Sequence, residues 1–145
     1  MKQEFKNYLV DIKLSHVMMN SVLKKYNILC NAANVEEFDE IFLSEAISNT
    51  GTREYFSLWG FTENMMCKIS IMKIEVSIFR IKNHISNISI DNRNFDLKTP
   101  TAESKLHYAL RRTDAEGTIS FSASGLNCEQ LLIISKKYLL PNLNH

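Results

Sequence analysis

The sequence predicts an α+β domain, with an antiparallel sheet of about five strands packed by helices from the two ends of the chain. Three observations predict it. Residues 3–29 place apolar side chains at alternating spacings of four and three, the signature of one helix face. Residues 53–98 change to a period of two, interrupted by turn residues. Residues 99–141 carry two helix-start signals around one further alternating segment. At 145 residues the chain fits one domain, 1–145, and 45% hydrophobic content suffices for a core of its own.

The first helix is read over 3–29. Its stripe is Phe5, Leu9, Ile12, His16, Met19, Leu23, Tyr26 and Cys30, with Lys2, Lys6, Lys13 and Lys24 off it. Val10, Leu14, Val17 and Val22 widen the apolar surface, so the helix is expected to pack on two neighbours, or on the sheet plus a partner, and the protein to be a monomer or a homodimer through this helix. Asn34 and Glu37 form a capping-box pattern for a second helix, reaching about Ser48 and stopping before Gly51, with Phe38, Ile41, Phe42 and Ala46 inward.

A meander of about four strands follows. Tyr55–Trp59 is a short aromatic strand closed by Gly60, 65–71 alternates, and Val76, Ile78 and Arg80 continue the pattern. Residues 82–84 read as a turn, Ile88 and Ile90 as a strand, 91–94 as a stronger turn, and Phe95 with Leu97 as a short return. Thr99-Pro100 opens a third helix that ends by Thr113, with Ala102, Leu106, Ala109 and Leu110 inward. Ile119, Phe121 and Ala123 form the C-terminal strand. Asn127, with Gln130 in the box position, caps a closing helix that Pro141 stops. The predicted order is α-α-β-β-β-β-α-β-α.

Composition excludes several functions and motifs exclude more. The formal net charge is +1, so no long-range field draws the chain to nucleic acid or an anionic membrane. Cys30, Cys67 and Cys128 are odd in number and lack CxxC spacing, which suits reduced buried thiols in a cytoplasmic protein. Residues 1–6 have no apolar run of a signal peptide, and no segment approaches the ~18 apolar residues of a membrane span. Abundant Ile, Asn and Lys fit an AT-rich, bacterial or phage coding region. His16, His84, His107 and His145 make no zinc-ligand pattern, and Gly51, Gly60, Gly117 and Gly125 are too scattered for a phosphate loop, so neither metal nor cofactor is expected. No nucleophile elbow surrounds Ser124. Cys128 near a helix start reads as a packing thiol, and Glu103 with His107 as a solvated pair one helical turn apart. The chain is therefore read as non-enzymatic. Lys24-Lys25, Arg111-Arg112 and Lys136-Lys137 are three basic doublets on three helices, so nucleic-acid binding is disfavoured.

The most lopsided feature is acidic. Glu36, Glu37, Asp39, Glu40 and Glu45 fall within ten residues, with no lysine or arginine from Asn27 to Thr52. The expected interface is this acidic segment with Tyr55 and Trp59 as aromatic anchors, meeting a basic protein partner. In size, composition and lack of catalytic residues the chain resembles the immunity proteins of bacterial contact-dependent toxin systems. That resemblance implies stoichiometric neutralisation of a partner toxin domain. It is also similar to small secretion chaperones, which bind effectors. A nucleic-acid-binding or small-ligand-binding domain is the remaining alternative.

Overall fold

The computed structural model describes residues 1–47 and 53–143. Its elements are α1 (Gln3–Asp11), α2 (His16–Ala33), seven strands β1 (Glu40–Ile47), β2 (Arg53–Phe61), β3 (Met65–Ser70), β4 (Val76–Arg80), β5 (Ile85–Arg93), β6 (Lys105–Arg112) and β7 (Thr118–Ser124), and α3 (Asn127–Ile134). A π turn over Ser135–Leu139 and a 3₁₀ turn over Leu140–Asn142 extend α3. The class is α+β, as expected. The single sheet of about five strands is replaced by two antiparallel meanders, β1-β2-β3-β4 and β5-β6-β7.

Four expected elements are corrected. The helix over 3–29 is two helices. Lys13 takes a left-handed φ of 61°, and Ser15 caps α2 by accepting from the Met18 N–H at 3.1 Å. The apolar stripe is thereby divided, and Val22, Tyr26, Leu29 and Cys30 form the buried face of α2. No continuous 3–29 seam remains to pair two copies. The helix expected from Asn34 is strand β1, and Asn34 instead closes α2 in the left-handed conformation that asparagine tolerates (φ 56°). The expected helix stop, Ser48 to Gly51, lies outside the described residues, as does His145. The helix expected from Thr99 is a loop followed by β6, whose Leu106, Tyr108 and Leu110 point inward while Lys105 and Arg111 point out. The turn expected at 91–94 begins only at Asn94 (φ 65°), and the Phe95–Leu97 return is an irregular loop. The strands read at 55–59, 65–71, 76–80 and 119–123 lie where expected.

The first sheet is buried on both faces. On one, Ile41, Leu43, Leu58, Cys67 and Ile69 meet Phe5, Leu9, Val22, Tyr26 and Leu29 of α1 and α2. On the other, Phe42, Trp59, Phe61 and Met66 meet Leu106, Tyr108, Leu110 and Phe121 of the second sheet and Leu131 and Ile134 of α3. Trp59 is central, with its ring 4.5 Å from that of Phe121 and stacked on Phe61 and Phe79.

The outer edge of β1 is closed by side chains. The Gln130 amide donates to the Ile41 carbonyl at 2.7 Å. The Leu43 N–H donates to the Tyr8 hydroxyl at 2.9 Å, which donates to Asn127 Oδ1 at 2.6 Å. Asn127 Nδ2 donates to the Leu43 carbonyl at 2.9 Å and to Glu45. Asn127 is thus the first residue of α3 and turns its amide onto the sheet edge. It does not cap the helix, and Gln130 does not complete a box with it.

Two outcomes follow. A Cβ on Gly60 would lie 2.5–2.7 Å from the ring carbons of fully buried Phe38, so Gly60→Ala should lower stability by about 1–3 kcal/mol in denaturant unfolding. Asn127→Ala strands the Leu43 carbonyl and removes a donor from buried Glu45, so a loss of roughly 3 kcal/mol is expected in the same measurement.

Candidate functional site

The acids that suggested an interface are dispersed by the β-strand. Glu36 and Asp39 are exposed. Glu37 accepts a very short hydrogen bond from Tyr26 and lies 3.2 Å from the Met1 amine. Glu40 pairs with Lys137 at 2.7 Å. Glu45 is 4% exposed, because β1 runs between the helices and the second sheet, and its carboxylate accepts from the Ser124 N–H (3.2 Å), the Ser124 hydroxyl (2.6 Å) and Asn127 Nδ2 (2.5 Å). Trp59, 2% exposed, belongs to the inter-sheet core and offers no ring to a partner. Of the seven expected interface residues, Glu36 and Asp39 are exposed and Tyr55 is half-buried.

Tyr55 lines a groove of about 520 Å³ between the α1–α2 turn and the end of β2, together with Leu14, Met18, Phe56 and Met72. Lys13 and Glu54 also line it. Large apolar side chains remain open to solvent here or close by in the chain: Phe56 is 50% exposed, Met72 85%, Ile74 71% and Val17 79%. The expected strand over Tyr55–Trp59 contained this surface. Its partner residues, from the α1–α2 turn and the β3–β4 turn, were hidden because both segments read as regular structure.

A second concavity, of about 320 Å³, opens on the outward face of the second sheet. His107 lies here with Nδ1 2.6 Å from the Ser122 hydroxyl, across the β6–β7 register. The pair expected between His107 and Glu103 needed a helix and is not formed by a strand.

The three thiols are buried and unpaired. Burial pushes Cys67 up to about 11, and burial with the Glu45 charge pushes Cys128 up to about 12. Cys128 is accordingly a packing group, and its place at the start of α3 does not make a reactive thiolate. Among the described residues no cluster of metal-ligating side chains occurs and no helix is long and apolar enough to cross a membrane. The basic doublets do not converge. Lys24-Lys25 lies on α2, two layers from the outward Arg111, while Arg112 pairs with Asp114 and Lys137 with Glu40.

The Tyr26 contact carries a pH signature. Its hydrogen bond holds the Glu37 carboxyl below the usual carboxylate range. A depressed carboxylate stabilises the fold above its unfolded value, and that contribution disappears as the pH falls through the folded one. Tyr26→Phe should therefore flatten the acid limb of a Tm-against-pH curve. It should also lower stability at neutral pH by roughly 1–3 kcal/mol, because the buried Phe38 N–H donates to the same hydroxyl.

No protein-family model, no curated protein and no solved structure matches this chain.

Proposed function

We propose that this chain is a non-enzymatic binding protein of the immunity or antitoxin type, which neutralises a partner toxin by forming a stoichiometric complex. The observation that carries the reading is the groove beside Tyr55, where Phe56 and Met72 stay exposed although the neighbouring core is closed. Isolated surface hydrophobics need no explanation, but several around one concavity are the usual character of a protein-binding surface. Aromatic and methionine side chains supply adaptable contact area at modest entropic cost. The acidic contribution to encounter rests on Glu36 and Asp39, the two exposed acids of the segment. A secretion chaperone or adaptor would use the same apolar groove, with an extended effector segment as its occupant.

The test separates groove from charge. Phe56→Ser with Met72→Ser should leave Tm nearly unchanged and weaken capture of a one-to-one partner by on the order of tenfold or more. Glu36→Lys with Asp39→Lys should slow association and steepen no other property. Full affinity in the Phe56/Met72 variant would reject the groove as the interface, and absence of any stoichiometric protein complex in host extract would reject the reading as a whole.

A further inference from the structure

The concavity on the second sheet is a grid built by register. Arg93, Lys105 and Ser124 face one another across β5, β6 and β7 on one rung. Asp91, His107 and Ser122 do so on the next rung of the same face. Glu45 closes the β7 side of this grid. All seven residues line the concavity.

Two features of the grid are unusual for a plain solvated sheet. First, Arg93 and Lys105 are directly opposed, and like charges in that position repel. Asp91 reaches Arg93 at only 3.7 Å, and Lys105 has no ion pair among the described residues. An anion between the two cations would convert repulsion into attraction. Second, a carboxylate that is 4% exposed forms part of the wall. Glu45 is fixed by Ser124 and Asn127, so its position is set before any ligand arrives. A fixed carboxylate beside an anion site disfavours a bare multiply charged ion. It favours a ligand that brings O–H donors next to its anionic group.

His107 fits the same assignment. When the Ser122 hydroxyl donates to Nδ1, the ring proton sits on Nε2 and is available to a ligand oxygen. The Ser122 N–H is already donated to the Ser44 hydroxyl at 3.1 Å, so β7 is anchored to β1 behind the site.

We infer that this concavity binds a phosphate monoester of a small hydroxylated molecule. The phosphate sits between Arg93 and Lys105 with Nε2 of His107 as a further donor, and the hydroxyls meet Asp91 and the Glu45 wall. Guanidinium geometry suits phosphate oxygens, and about 320 Å³ lies at the small end of ligand sites. The site shares no lining residue with the groove at Tyr55, so it does not rest on the proposed protein complex.

Calorimetric titration of the full chain at low ionic strength tests it, with glycerol phosphate, inorganic phosphate and glycerol as separate probes. Glycerol phosphate should bind one to one and at least about tenfold tighter than inorganic phosphate, and glycerol alone should not saturate. Arg93→Ala and Lys105→Ala change exposed side chains and should each weaken glycerol phosphate by on the order of tenfold at unchanged Tm. The His107 ring resonances should shift on binding to the parent chain. No saturable binding of glycerol phosphate would overturn the inference. So would equal affinity for inorganic phosphate, or affinity unaffected in the Arg93/Lys105 double variant.

Discussion

The structure depends on how the outer edge of β1 is satisfied. This strand is covered by helices on one face and by the second sheet on the other, and Ile41, Phe42 and Leu43 are fully buried. Its outward backbone groups therefore cannot be left to water. Gln130, Asn127 and Tyr8 supply the missing partners from α3 and α1. Ser44 and Glu45 then reach the N–H groups of Ser122 and Ser124 on β7. Side chains thus do along this seam what a continuous ladder would do if the two sheets were one. An edge strand closed in this way is also withheld from pairing with another chain.

That seam explains why both candidate surfaces lie near the same strands. The β1–β2 register shifts between Ser44 and Glu45, which re-aims the strand as it leaves the seam. Glu45 is left inside, against Ser124, where it becomes a fixed wall of the polar concavity. Its register partner on β2 is Tyr55, which lines the apolar groove. One irregularity in one strand pair accordingly sits between a polar and an apolar recess.

The α+β class and four strand positions were legible in the sequence because strands with apolar residues at every second position alternate visibly, as Ile119, Phe121 and Ala123 of β7 do. β1 was not legible for the opposite reason. A strand buried on both faces shows a continuous run, Ile41-Phe42-Leu43, and the acids before it imitate a helix start. In β6 the residues Leu106, Ala109 and Leu110 satisfy a helical spacing as well as a strand one, and Thr99-Pro100 strengthened the wrong choice. Within the expected interface, Tyr55 lines the apolar groove, whereas Trp59 could not be assigned to the core without knowing that a second sheet covers it. The Arg93–Lys105 opposition was invisible, because residues twelve apart meet only through a register that the sequence does not state.

The two recesses differ in the physics they offer, which makes them separable. The groove gives contact area through Phe56 and Met72, so its occupancy should depend little on salt. The grid gives direction through charged and hydrogen-bonding groups on adjacent rungs, so its occupancy should weaken as salt screens Arg93 and Lys105. Substitutions with no shared partners add within a few tenths of a kcal/mol. A coupling larger than that between a groove variant and a grid variant would have a physical route among the described residues through the Glu45–Tyr55 rung and the bulge beside it. Coupling of that size would make ligand occupancy of the grid a control on protein binding at the groove, whereas strict additivity would leave them as two independent properties of one scaffold.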